Sequence, residues 1–163
     1  MIYPTSRAVF LIALGAPIAA ILAAVIPSLW AIGLAWAVML VILLALDGMV
    51  AAKIANVELA SPRQTEIGEP LQFNVRANFA GMMMPRTVHG NLGVDDRLSK
   101  SGRVELELAR DGSADDQLTG NAETIPTRRG LGEIGKLWLR WTGPLGLAWR
   151  QTEKTSDKTI SVL

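Results

Sequence analysis

The chain has 163 residues, half of them apolar, with 16 basic and 15 acidic side chains, one histidine and no cysteine. That length holds a membrane segment and about one further domain. The lack of cysteine excludes a disulfide framework and a thiolate metal centre, the single histidine excludes a multi-histidine site, and the balanced charge gives neither a field for nucleic acid nor a polybasic lipid anchor.

The charges are unevenly placed. No charged side chain lies between Arg7 and Asp47, and all the acidic residues lie at or after Asp47. The apolar stretch divides at Pro27-Ser28 into segments 8–26 and 29–46. A helix needs about 20 apolar residues to cross a hydrocarbon core of roughly 30 Å, and each segment is close to that length. Neither shows the polar stripe of a soluble helix. A cleaved signal peptide has a shorter apolar core followed by a polar mature chain. The pattern predicts a retained transmembrane hairpin in residues 1–50, with the lipid bilayer as its first partner. Arg7 and Lys53 flank the two spans, and basic flanks stay in the cytoplasm. The expected location is therefore the inner (cytoplasmic) membrane, multi-pass, with both chain ends on the cytoplasmic side.

Within the spans, Gly15, Ala19 and Ala23 recur every four residues, as do Ala31 and Ala35. Small residues at this spacing let helices approach closely. A short turn favours packing within the hairpin over association with a second chain. Pro17 removes one backbone hydrogen bond from the first span. Trp30 opens the second, where an interfacial anchor is expected.

From residue 51 the period changes. Val57 and Leu59 suggest a first strand, and Gly68-Glu69-Pro70 a turn. Leu71, Phe73, Val75, Ala77 and Phe79 then alternate with polar residues, the signature of a strand with one buried face. Further strands are predicted around Val88 to Val94, Val104 to Leu108, Asn121 to Pro126, Lys136 to Trp141, Leu145 to Trp149 and Thr159 to Leu163. Gln151 to Lys158 is polar and reads as an exposed loop. Seven or eight short strands with this turn spacing predict an antiparallel, all-β, Ig-like sandwich over residues 51–163. The fold class is a membrane α-helical hairpin followed by that sandwich.

Three stretches carry a resemblance: Ile125-Pro126-Thr127-Arg128-Arg129-Gly130, then Leu137-Trp138-Leu139-Arg140, then Gly143-Pro144-Leu145-Gly146-Leu147. With the hairpin before them, they resemble the bacterial family catalogued as domain of unknown function fifty-eight. The resemblance implies two membrane helices, a β-rich segment with an Arg-Arg-Gly turn, and then a von Willebrand A-like domain. It also implies association with MoxR-type AAA+ ATPases and other membrane proteins. Gly143 stands where that family usually has Asp. The A-like domain, with its metal-binding Asp-x-Ser-x-Ser motif, would lie beyond residue 163, so the chain reads as the N-terminal part of such a protein.

Read as physical chemistry, Gly130 supplies the positive φ of a tight hairpin, with Arg128 and Arg129 at its edge. They are either solvated or one pairs with a carboxylate across a contact. Pro144 and Gly146 bend the chain and should turn Leu145 and Leu147 into the core. Asp111-Gly-Ser113-Ala-Asp115-Asp116 has the look of a cation loop but does not complete the calcium pattern, and reads as an acidic turn. His89 falls on the polar phase of its strand with no nucleophile signature beside it. No glycine-rich phosphate loop is present. No catalytic residue, cofactor or metal site is therefore assigned.

Two features suggest a contact surface. Met82, Met83 and Met84 form a run at a loop, either an interface or a plug for one end of the sandwich. Trp138 lies on the polar face of its strand between Lys136 and Arg140, either at an interface or under a neighbouring loop. Exposed methionine and tryptophan are common at interfaces. The expected function is a non-enzymatic membrane scaffold or adaptor. The alternative is an accessory subunit of a membrane enzyme or hydrolase, with a small-molecule site in the sandwich.

Overall fold

The computed structural model describes residues 1–112 and 115–163 and divides the chain into two compact units. The first comprises residues 1–51 and 142–150, the second residues 52–141 and 151–163.

The first unit is built on a helical pair. α1 spans Ser6–Val25, a short 3-10 turn covers Pro27–Leu29, and α2 spans Trp30–Val50. Thr5 starts α1: its Oγ1 accepts from Ala8 N at 3.2 Å, satisfying one of the free N–H groups of the first turn. α1 ends at Ile26, which is extended (φ −137°, ψ 96°). The residue before a proline avoids the α region, so Pro27 dictates that stop. Close packing follows from small residues. A Cβ at Gly33 would lie 2.1 Å from Ala19 Cβ, and one at Gly15 would lie 2.6 Å from the Trp36 ring. Trp36 Nε1 donates to Leu11 O at 3.1 Å. Gly15 and Ala19 thus make the contact expected of them within the hairpin. Their partners are Gly33 and Trp36, whereas Ala31 and Ala35 are exposed.

α2 runs four residues past the predicted span, to Val50, so Asp47 is inside the helix and not after it. A short strand, β1 (Ile2–Pro4), precedes α1 and pairs antiparallel with residues 148–150. Three residues are too few to register as a strand in sequence.

The second unit is an antiparallel β-sandwich of curled, half-barrel form. Its strands are β2 (Lys53–Ala60), β3 (Gln64–Thr65), β4 (Leu71–Ala80), β5 (Thr87–Val94), β6 (Arg103–Ala109), β7 (Gln117–Thr124), β8 (Gly130–Thr142), β9 (Ala148–Thr155) and β10 (Thr159–Val162). The first three residues of β9 belong to the helical unit and the rest to this one. The main sheet runs β9-β8-β5-β6-β7-β4-β2. The first part of β8, from Gly130 to Glu133, pairs instead with β10, which runs parallel to β3.

Alternation sets the core. Leu71, Phe73, Val75, Ala77 and Phe79 of β4 are all buried, while Gln72, Asn74 and Arg76 are exposed. In β8 the register slips between the pairs Leu92–Leu137 and Val94–Ile134. The extra residue flips the phase, so Ile134 and then Leu137, Leu139 and Trp141 all point inward. Trp141 meets Phe79 edge-on, centroids 5.3 Å apart, and its Nε1 donates to Ala52 O at 3.0 Å. The polar end of that indole is therefore satisfied where burial would otherwise be costly.

Gln151 to Thr155 is strand and not the loop its polarity suggested. It lies at one edge of the sheet, where both faces can be polar without cost to the core. The ammonium groups of Lys154 and Lys158 donate to the carbonyls of Val57 and Leu59 in β2, the opposite edge. Lysines at an edge obstruct further strand pairing.

Candidate functional site

Strand register assembles one polar, aromatic depression on the outer face of the β unit. In β5 the inward residues are Val88, Gly90, Leu92 and Val94, leaving His89, Asn91 and Gly93 outward. His89 is opposite Arg140 of β8 on one side and Glu107 of β6 on the other. Asn91 is likewise opposite Trp138 and Glu105. Gly93 pairs with Arg103 and lies under the Trp138 ring, where a Cβ would come within 3.2 Å of it. A side chain at Gly93 would require the indole that leans over it to give by a few tenths of an ångström. A cationic strand, a neutral strand and a largely acidic strand thus run side by side.

The result is an open depression of about 720 Å³. Trp138 supplies its aromatic wall, half-buried, and Arg140, His89, Glu105 and Glu107 its charged and polar rim. No serine, threonine or cysteine side chain lines it among the described residues. Asn91 Oδ1 is shielded from solvent with no hydrogen-bond donor in reach among the described residues. A buried acceptor left unsatisfied costs about 1–3 kcal/mol. The site presents one aromatic face, of Trp138, beside both signs of charge.

The other residues singled out in sequence lie apart from it. Arg128 and Arg129 are exposed in the connection from β7 to β8. Those strands do not pair with each other, so the expected hairpin is absent, although Gly130 does have a positive φ of 126°. Arg128 Nη1 lies 3.3 Å from Asp96 Oδ2, in an exposed ion pair worth little in water. Met82, Met83 and Met84 lie in the loop from β4 to β5, at the other end of the strands. Met84 packs against the core, while Met82 and Met83 do not. In the acidic turn, Ser113 and Ala114 lie outside the described residues, and among the described residues no three His, Asp or Glu side chains could together hold a metal ion.

The sequence reading missed a second cluster, within the helical unit. Asp47 is 2% exposed, yet its carboxylate has no basic partner among the described residues. Backbone N–H groups satisfy it instead. Leu145 N donates to Oδ1 at 2.7 Å, and Leu147 N and Ala148 N donate to Oδ2 at 2.8 and 3.0 Å. The loop Gly143–Leu147 wraps the carboxylate with its main chain. Gly146 permits the wrap with φ +70°. Gly143 is required for space, since a Cβ there would lie 2.5 Å from Asp47 Cγ. The same loop holds the start of α1: Thr5 N donates to Leu147 O and Thr5 Oγ1 to Gly146 O, both at 2.9 Å. Arg150 Nη1 donates to the carbonyls of Gly48 and Ala51 at the end of α2. A cation there complements the negative end of the helix dipole. Both helix ends are thus tied to one loop. Leu147 is buried as expected, but Leu145 is 51% exposed, because its backbone and not its side chain is what the loop uses. The available signal was a lone Asp closing an apolar run, together with a loop rich in glycine.

No protein-family model matches the chain, and no curated protein does. Among solved structures it is similar to the CARDB domain of the PF1109 protein from Pyrococcus furiosus, crystallised with di-metal ions. The TM-score is 0.40 and the identity 11%, over 69% of this chain and 90% of that one. It is also similar to beta-glucosidase from Listeria innocua, in complex with isofagomine (TM-score 0.34) and without it (0.35). Each match has 11% identity and covers 68% of this chain and 16% of that one. Similarity at this level carries no site from those proteins to this chain.

Proposed function

We propose that the chain is a membrane-anchored scaffold or adaptor: α1 and α2 cross the bilayer, and the β-sandwich is held at the membrane to bind protein partners. One observation carries this reading. Both helices are long and apolar enough to span, and only 11% and 6% of their apolar windows are buried inside the protein. A core helix of a soluble protein would be mostly covered. Water is a poor solvent for such surfaces and lipid a good one. Confinement at a membrane raises the effective concentration of the sandwich toward other membrane proteins. The Trp138 depression is the contact site we assign to it, since aromatic and arginine side chains dominate binding surfaces.

The complex is one built around a MoxR-type AAA+ ATPase at the inner membrane, with the sandwich cytoplasmic. The Arg128-Arg129-Gly130 and Pro144-Leu145-Gly146-Leu147 motifs support the first part, and the basic flanks Arg7 and Lys53 support the second.

Co-purification in mild detergent tests the reading. The tagged full chain should bring down an AAA+ ATPase, and Trp138→Ala should reduce the yield of that partner while leaving the bait intact. Recovery of the chain in the supernatant of carbonate-washed membranes, without detergent, would end the anchored reading. Recovery of no partner by an intact, membrane-bound chain would end the adaptor reading alone.

A further inference from the structure

Met82 and Met83 are 95% and 55% exposed, side by side, at the tip of the loop between β4 and β5. The loop is rooted: Met84 packs against the core and Pro85 is buried. A plug for the end of the sandwich therefore describes Met84 only. The two preceding side chains project outward and need a different account.

The covalent chain says what lies near them. Lys53, the first residue of β2, pairs with Ala80, the last of β4. The next residue, Gly81, is so close to Ala52 that a Cβ there would come within 3.3 Å of Ala52 Cα. Ala52 is the second residue after Val50, where α2 ends. The 21 residues of α2 rise about 31 Å, the thickness of a hydrocarbon core. This step rests on the spanning reading given above: with α2 across the bilayer, its last turn, Asp47 to Val50, lies at the boundary. Two residues of chain reach at most about 7 Å, so Met82 stays within about 15 Å of that boundary through covalent connection alone.

We propose that Met82 and Met83 form a second membrane contact, dipping into the headgroup–acyl boundary beside the exit of α2. Methionine is flexible and polarizable and packs against irregular apolar surroundings. Exposed Lys53 and Arg86 flank the loop, and their long apolar stems let the charged heads stay in water when the loop inserts. Exposed Asp115 and Asp116, just before β7, lie at the same end, since Phe79 N donates to Asp116 O at 2.9 Å. Those carboxylates oppose attraction to anionic lipid. The contact is accordingly apolar insertion, and it operates on a zwitterionic bilayer.

The lack of native cysteine makes the test direct. The full chain is reconstituted in phosphatidylcholine vesicles, with a polarity-sensitive fluorophore on one introduced cysteine and quencher groups on the lipid acyl chains. Val38→Cys marks mid-α2, Lys100→Cys the turn at the far end of the sandwich, and Ala80→Cys the root of the loop with both methionines present. The expected result is strong quenching at position 38, partial quenching with a blue shift at position 80, and none at position 100. The double variant Met82→Asp, Met83→Asp should abolish the signal at position 80 and leave position 38 unchanged. Quenching at 38 with position 80 behaving like position 100 would overturn the proposal while leaving the span intact. So would a signal at 80 that survives the double variant. Absence of quenching at 38 would remove the span and this proposal together.

Discussion

The carboxylate of Asp47, in the last turn of α2, accepts a hydrogen bond from the backbone N–H of Leu147 at 2.8 Å, one hundred residues further along the chain. This bond and its neighbours from Leu145 and Ala148 satisfy the buried carboxylate, which has no basic partner among the described residues. Charge-assisted bonds of this kind are roughly twice as strong as neutral ones. They tie the end of α2 to the loop that also holds Thr5 at the start of α1.

Asp47→Ala should therefore destabilise the helical unit far more than an ordinary polar deletion. It leaves two buried N–H groups, of Leu147 and Ala148, and the part-buried one of Leu145 without an acceptor, a loss on the order of 3 kcal/mol. Asp47→Asn should lose less, since its amide oxygen can still accept from Leu147 and Ala148 while its NH₂ would face the Leu145 N–H. Urea unfolding of the full chain in detergent micelles measures both. Wild-type midpoints for both variants would show that the loop is held by something else.

Gly143→Ala should be comparably damaging although it adds one methyl group. The new carbon would lie 2.5 Å from Asp47 Cγ and 2.6 Å from Asp47 O, and neither atom can retreat without losing its hydrogen bonds. Overpacking costs about 1–3 kcal/mol. Gly68→Ala is the useful comparison: Gly68, unlike Gly143, has a positive φ of 82°, but there is open space around it. Its loss should reflect backbone strain alone and be the smaller of the two in the same unfolding assay.

Trp138 and Trp141 are two residues apart and should behave oppositely. Trp141→Ala removes a buried ring, its contact with Phe79 and its bond to Ala52, and should cost about 3–5 kcal/mol. Trp138→Ala opens the outer depression and should cost about 1 kcal/mol or less, while partner yield falls. Thermal melts followed by near-ultraviolet circular dichroism separate the two. Equal destabilisation would show Trp138 to be a packing residue.

Acid should weaken the turn that joins β5 to β6. The Asp95 carboxyl is held below its ordinary value, first by the Arg97 backbone N–H that donates to it at 2.9 Å, with burial opposing and Asp96 and the Arg97 guanidinium assisting. A carboxyl lowered in the folded state stabilises the fold fully above its unfolded pKa of about 3.9, and that contribution disappears as pH falls through the folded value. The stability difference between wild type and Asp95→Asn should be constant above about pH 5 and shrink below about pH 4. A difference independent of pH down to acid unfolding would rule out the assigned cause.

Much of this architecture can be read from local pattern. Leu71 to Phe79 alternates in sequence and alternates in burial, because a strand's side chains change face at every residue. The absence of charge from Ala8 to Leu46 yields two helices for an equally local reason. Local pattern does not decide structure where the deciding contact is remote. Gln151 to Thr155 shows no alternation, since an edge strand away from the core does not need one. Arg128 and Arg129 have the composition of a hairpin, yet β7 and β8 choose other partners. Leu145 and Leu147 are chemically alike, and only the backbone wrap around Asp47 leaves one exposed and buries the other.

The amino-acid sequence alone determined that two apolar helices precede an all-β domain, and that Trp138 and His89 face away from its core. Hydrophobic period and charge distribution encode those properties within a few residues. Only the tertiary structure decided that Trp138, Asn91 and Glu105 share one row, that Asp47 is enclosed by backbone N–H groups, and that the Met82–Met83 pair lies at the end where the chain enters the sandwich. Strand register and long loop closures bring those residues together, and both are set by the packing of the whole core and not by any one segment.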